Sequence, residues 1–270
     1  MKQEVLMVLE ELNTLNDKLN YDVNLCTIDT KLKFKQLNTR QFNRILSTLV
    51  DNSTLENDIF DSCMCDILSE NILDANQSIK DLNLLDYFKA VLETRRQCVS
   101  DTLNVIFNSE EIEKNNLEEG YCAVSLSEHL NKELPELQLS QTVSEKGIQV
   151  ILKIPTINKI IKLEKALKSA TTGSSTDFIK KLFIKELVKY IDIIIVNDKQ
   201  VNFETTEVND FIEFINNIPA FVINETIKKI EQMKLPITNL STVIVSGRDS
   251  SGNIITFSKE LLFNGNLFNF

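Results

Sequence analysis

The stretch DTKLKFKQLNTRQFNRILSTLV, Asp29 to Val50, decides the reading of the fold because its hydrophobic period changes halfway along. In the first half Leu32 and Phe34 alternate with Lys31, Lys33 and Lys35, the period of two that buries one face of a strand and leaves a basic face in water. From Asn38 the period is helical: Phe42, Ile45, Leu46 and Leu49 form one stripe, and Arg40, Asn43 and Arg44 fall outside it. Asn38 followed three places on by Gln41 is a capping-box pattern, in which two side chains satisfy the first free N–H groups of a helix. Upstream, Val23–Ile28 is expected to pair with Lys31–Leu37 through a turn at Asp29–Thr30. An opening helix is expected from Gln3 to about Asp17, with Val5, Val8, Leu9 and Leu12 on one side.

Downstream, Phe60, Cys63, Met64 and Ile67 mark one helix, and Leu84, Tyr87, Phe88, Val91 and Leu92 mark the next, Leu84–Cys98, which ends in Arg95 and Arg96. At Thr102 the period returns to two. Leu103, Val105 and Phe107 predict one strand, Cys122, Val124 and Leu126 another, and Ile148, Val150, Leu152 and Ile154 a third. Gly120 and Gly147 punctuate them, and acidic Glu110–Glu119 reads as an exposed connection. Helices resume after Pro155, with a break at Thr171–Ser175 that reads as a hinge or a loop. Ile179, Leu182, Phe183, Leu187 and Tyr190 mark one helix. Val208, Phe211, Ile212, Ile215 and Ile218 mark another, with Thr205 or Thr206 as its cap. Between them Ile191–Val196 and Lys199–Phe203 predict a short hairpin. The chain alternates again at Val243 and Val245, turns around Asp249–Gly252, and ends in the apolar clusters Leu261–Phe263 and Leu267–Phe270. No repeat at solenoid periods is present. The expected fold is α+β, a mainly helical body with an N-terminal β-hairpin and a small inserted antiparallel β-subdomain. It is divided as 1–100, 101–155 and 156–270.

A chain of 270 residues with 43% hydrophobic and 25% charged side chains can fill a core and is unlike a disordered protein. The net charge of −10 opposes a dedicated nucleic-acid binder, because phosphate affinity comes from lysine and arginine. The local cluster Lys31, Lys33, Lys35, Arg40 and Arg44 is better suited to an acidic protein partner. Five scattered cysteines, Cys26, Cys63, Cys65, Cys98 and Cys122, predict reduced thiols in a cytosol rather than a disulfide framework. Acidic residues through Met1–Leu19 and the absence of a long apolar run oppose both a signal peptide and a membrane span.

Chemistry has little to work with. The single histidine, His129, reads as a surface residue beside the acids Glu128 and Glu133. Cys63 and Cys65 lie two apart on a helix and point away from each other, which opposes a shared metal ion and favours core packing of Cys63. Gly173-Ser174-Ser175 lacks the Lys-Ser/Thr ending of a phosphate loop. No catalytic, metal-binding or cofactor-binding residue is assigned, no cofactor is expected, and an enzyme is disfavoured. Candidate contact residues are of two further kinds. Arg95 and Arg96 complement the dipole at their helix C-terminus, and either can fork onto a partner's carboxylate or tie the helix to the β-subdomain. Phe263, Leu267, Phe268 and Phe270 must tuck into the core or meet a partner, and the two outcomes stay open.

The order and spacing of four pieces carry a resemblance: the basic strand with its helix, Leu84–Cys98 ending in Arg95–Arg96, the alternating strand stopping at Ile154-Pro155-Thr156, and the run FETTEVNDFIEFINNIP from Phe203 to Pro219. Together they resemble the phage base plate protein family, the baseplate hub-assembly proteins of T-even-type contractile-tailed bacteriophages. The resemblance spans most of the chain. It implies a non-enzymatic tail protein that helps assemble the central baseplate hub by contacts with other hub proteins. The site would be the cytoplasm of the infected bacterium, with no nucleic acid and no membrane as partner and with oligomerisation open. Whether it leaves as an assembly chaperone or stays in the virion as a baseplate subunit is also open, and a tail-associated hydrolase is the weaker alternative. Several family members carry Cys-x-x-Cys pairs suggestive of zinc ribbons. Here Cys122 stands alone and Val243–Gly252 has no cysteine, so no zinc role is carried over.

Overall fold

The computed structural model describes residues 7, 8, 10–12, 14, 15, 18–48, 56–74, 76–169, 175–261, 263 and 265–268. The chain is α+β with an N-terminal hairpin and falls into two units. The first comprises Met1–Ile79, Asp86–Glu133 and Thr238–Phe270, and the second Lys80–Leu85 and Leu134–Ile237.

In the first unit β1 (Asn20–Asn24) pairs antiparallel with β2 (Lys31–Lys35), in register Tyr21 to Phe34 and Val23 to Leu32. The strand pairing begins earlier than Val23, and the connection is the longer Leu25–Thr30 segment rather than a tight turn. The reason is Asp86. Its buried carboxylate accepts the N–H groups of Cys26 (2.5 Å) and Thr27 (3.1 Å) and the Thr27 hydroxyl, which holds this loop open against a helix. Helix α1 (Thr39–Ser47) starts on the expected capping box: Asn38 Oδ1 accepts the Gln41 N–H at 2.9 Å and Gln41 Oε1 accepts the Asn38 N–H at 3.2 Å. Of its predicted stripe, Ile45 is buried, Phe42 and Leu46 are half-buried, and Leu49 lies outside the described residues. Helix α2 (Glu56–Asn71) buries Met64, Ile67 and Leu68, and Cys65, not Cys63, is its core cysteine.

Helix α3 (Leu84–Cys98) has the predicted bounds and is buried on nearly every side. Residues four apart on a helix form one ridge, and the ridge Asp86, Ala90, Thr94, Cys98 carries the hairpin. Asp86 holds the loop, the Tyr21 hydroxyl bonds Thr94 Oγ1 at 2.7 Å, and Leu37 N–H donates to Cys98 Sγ at 3.4 Å. Ala90, on the same ridge, is fully buried. Burial pushes the Tyr21 hydroxyl and the Cys98 thiol above their ordinary pKa values, so both stay neutral.

Strands β3 (Thr102–Ile106) and β4 (Tyr121–Ser125) make a second hairpin, and β9 (Thr242–Arg248) and β10 (Ile254–Glu260) a third. β4 lies beside β9, and Phe107 meets Phe257 with ring centroids 5.3 Å apart. Gly247 faces Leu117 closely enough that an added Cβ would stand 2.8 Å from its Cδ2. The acidic connection at 110–119 contains a helix, α4 (Ser109–Asn115), started by a second capping box between Asn108 and Glu111. Helix α5 (Leu126–Leu130) follows β4 directly.

In the second unit β5 (Ser140–Glu145), β6 (Ile148–Lys153), β7 (Ile191–Val196) and β8 (Lys199–Asn202) form one antiparallel sheet in sequence order. The stretch 101–155, expected as one β-subdomain, is therefore divided: β3 and β4 belong to the first unit, and β6 pairs with β7. Strand β7 is an apolar run that pairs on both edges, with β6 and with β8. Lys146 and Gly147 at the β5–β6 turn, and Asn197 and Asp198 at the β7–β8 turn, all have positive φ, the geometry of tight hairpin turns that match strand twist. Helices α6 (Ile157–Ser169), α7 (Ser175–Tyr190), α8 (Val208–Asn216) and α9 (Ala220–Ser241) complete the unit, α9 running on into the first. The break predicted at 171–175 lies outside the described residues up to 174. Glu207, not Thr205 or Thr206, occupies the N-cap of α8, and it makes no side-chain cap bond. Helix α9 was hidden in the sequence by Pro236, which normally ends a helix and here lies inside one.

Lys159 is a buried charge among the described residues of this unit. Its Nζ donates to the Ile191 carbonyl at 2.6 Å and lies 4.6 Å from the centre of the Phe203 ring, which in turn meets Phe211 edge-on. Burial lowers its pKa to about 8, against the opposing pull of Asp192 and Glu204.

Candidate docking surface

The predicted contact residues divide according to whether the fold leaves them in water. Lys31 and Lys33 are exposed, and Lys35 is half-buried, on the outward face of the β1–β2 hairpin; Leu32 and Phe34 are fully covered on the other. The cross-strand neighbours are Asn24 for Lys31, Asp22 for Lys33 and Asn20 for Lys35, so the face carries three lysines against one aspartate. Arg40 is exposed in the first turn of α1. The far edge of β2 is occupied: Asp74 accepts the Lys33 N–H at 2.7 Å and Leu73 N–H donates to the Lys33 carbonyl at 2.8 Å. Further strand addition at Lys33 is thereby blocked, and contact with a partner must go through side chains.

Arg44 is half-buried and already engaged. It meets Glu70 at 2.7 Å, and its guanidinium, with the Gln41 amide, holds the Glu70 carboxyl below the usual range. Gln41 does more than cap: its buried amide donates to Glu70 Oε2 and Asn71 Oδ1, both at 3.0 Å, and Asn71 Nδ2 returns a bond to Gln41 Oε1 at 3.2 Å. This network fastens α1 to α2, and the sequence pattern showed only its capping half.

Arg95 belongs to the interior. Among the largest fully buried side chains, it donates from Nε to the Leu267 carbonyl (2.7 Å), from Nη1 to the Ser100 carbonyl (2.5 Å) and from Nη2 to the Thr102 carbonyl (3.1 Å). It cannot reach a partner from there, which corrects its assignment as a contact residue. Arg96 is half-buried between Glu93 (2.8 Å) and Ser127 (3.3 Å) and ties α3 to α5. The chain end is resolved in the same sense. Leu267 and Phe268 are buried, and Phe263 stacks on Phe88 at 4.2 Å between centroids. Phe270 lies outside the described residues. The short 3-10 helix Gly265–Phe268 packs beside α1, so these described apolar residues of the tail close the core and are withdrawn from partner contact.

His129 is not on the surface. It is buried, with Nε2 bonded to the Leu240 carbonyl at 2.7 Å and Nδ1 without a partner, and burial lowers its pKa. Its neutral form, with the proton on Nε2, links α5 to the end of α9. Asp101 joins the same corner, accepting bonds from the Ser125 hydroxyl and from the N–H and hydroxyl of Ser127; those bonds, the Ser127 hydroxyl foremost, hold its carboxyl below the usual range. The five cysteines are free thiols. Among the described residues no group of three or more His, Cys, Asp and Glu is arranged to hold a metal ion, and no helix is long and apolar enough to cross a membrane.

No family model, curated protein or solved structure matches the chain. What remains as a docking feature from the predicted set is the hairpin face Lys31, Lys33 and Lys35 with Arg40.

Proposed function

We propose that this chain is a non-enzymatic docking protein whose basic hairpin face receives an acidic protein surface. More specifically, we propose that it serves in assembly of the central baseplate hub of a contractile phage tail, in the cytoplasm of the infected bacterium. The sequence resemblance supplies the biological setting. The observation that carries the docking reading is the anchoring of the hairpin: bonds at three points of one ridge, Asp86, Thr94 and Cys98, hold a charged face rigidly on a buried helix. A rigid, pre-arranged set of charges loses little entropy on binding and sets orientation as well as encounter rate.

The test is co-expression with the hub proteins of a contractile tail, followed by co-purification and by mass analysis of finished particles. The triple reversal K31E/K33E/R40E changes only exposed side chains and is expected to weaken recovery about tenfold or more, most strongly at low salt. Recovery with hub proteins but absence from particles identifies an assembly chaperone, and stable copies in particles identify a subunit. A chain that ignores every tail protein refutes the hub assignment, and recovery indifferent to the triple reversal refutes the basic face as the contact.

A further inference from the structure

The N-terminal helix carries a surface that the docking reading does not use. Residues 7, 8, 10–12, 14, 15 and 18 are helical, and the Leu19 N–H still donates to the Leu15 carbonyl at 3.2 Å before β1 begins at Asn20. Val8, Leu12, Leu15 and Leu19 are separated by four, three and four positions. At about 100° per residue they fall within an arc of roughly 60°. They are 55%, 49%, 56% and 55% exposed. Single apolar side chains on a surface are ordinary, but a row at alternating three and four spacing is the seam of a coiled coil. In sequence, Val5 continues the spacing by one step.

Charge selects the occupant of that seam. Glu11 and Lys18 both flank it at the g position, and both are exposed. When two copies of this helix run antiparallel with Leu12 of one against Leu15 of the other, Val8 meets Leu19, and residue 11 of each copy meets residue 18 of the other. The result is a Glu–Lys pair on each side of the centre. Parallel pairing sets g against e instead, so Glu11 and Lys18, both at g, do not meet. Antiparallel pairing also sends the two β1–β2 hairpins to opposite ends of the helix pair.

We infer that the N-terminal helix is a self-association surface, pairing antiparallel with the same helix of a second copy of this chain. Each seam residue removes roughly 60–100 Å² from water. With the stems of Glu11 and Lys18 the pair covers on the order of 1,000 Å², the low end for specific association. The dimer is accordingly weak and reversible, with a dissociation constant on the order of tens of micromolar.

Sedimentation equilibrium of the full chain, from about 1 to about 300 µM, reads this directly. The wild type is expected to pass from monomer to dimer over that range, and L12E/L15E to stay monomeric with its far-UV circular dichroism retained outside the first helix. The charge variants test the orientation without touching the apolar seam. E11K alone and K18E alone each set like charges together twice, and each is expected to weaken the dimer about tenfold. The double variant E11K/K18E restores it, and so does an equimolar mixture of the two single variants. A wild type monomeric throughout, a dimer that survives L12E/L15E, or charge variants that neither weaken nor rescue one another overturns the inference.

Discussion

Removing the Arg95 guanidinium is the perturbation with the most traceable cost. Of the acceptors named above, the Leu267 carbonyl belongs to a buried residue, whereas Ser100 is half-buried and Thr102 exposed, and both can recover water. Arg95→Ala therefore strands one interior acceptor, at about 1–3 kcal/mol. It also removes two buried methylenes, at about 0.8 kcal/mol each, and leaves a cavity. The sum is about 3–5 kcal/mol, a large share of the 5–15 kcal/mol that holds a typical domain together. Arg95→Met keeps the packed stem and loses only the donors, so its cost is expected to fall to about 1–3 kcal/mol. The chain has no tryptophan, so urea unfolding is followed by circular dichroism at 222 nm, with amide hydrogen exchange across 265–268 as the local readout. Arginine anchors this segment to α3, and both variants should speed its exchange before the rest of the unit opens. Losses below 1 kcal/mol in both variants, or unchanged exchange in the tail, would show that Phe268 and its apolar neighbours hold the tail without Arg95.

Two other perturbations separate capping, packing and charge. Asn38→Ala removes one side of the α1 capping box and is expected to cost about 1 kcal/mol, whereas Gln41→Ala also deprives buried Asn71 of its amide partner and should cost about 2–3 kcal/mol in the same urea assay; equal costs would mean that Gln41 acts only as a cap. For Lys159 burial brings the folded pKa to about 8, below the ordinary lysine value of 10.5. The unfolded chain then binds more protons between those values, so stability rises as pH climbs through that window and has no slope from this group near pH 7. Relative to Lys159→Met, the wild type should gain at most about 3 kcal/mol between pH 8 and pH 10.5. Parallel stability curves for the two proteins across that window would refute the buried-charge account.

Legibility in the sequence followed the range of the forces involved. The Lys31–Lys35 strand, the Asn38 box, the bounds of α3 and the β9–β10 turn were readable because each rests on neighbours within a few positions: a period of two or 3.6, a cap three residues away, a turn between strands. The exposed half of the candidate site, Lys31, Lys33 and Arg40, belongs to that group. The pairing of β6 with β7 was not readable, because α6 and α7 lie between the two strands in sequence and neither strand carries a local sign of its distant neighbour. Nor was α9, whose Pro236 is a local stop signal overridden by its surroundings. His129 beside Glu128 and Glu133 read as a surface residue, since nothing nearby in sequence announces that the Leu240 carbonyl will cover it.

Composition and period alone determined that this chain folds, that it mixes helix with antiparallel strand, and that one strand carries a basic face. The tertiary structure decided which of its charges that face keeps. Arg95 and Arg44 carry the same charge as Lys31, yet a carbonyl 172 positions away takes the first into the core and Glu70 takes the second into a network. A side chain's charge is a property of the residue, whereas its availability to a partner depends on which distant groups have already desolvated and bonded it, and only folding brings those groups together.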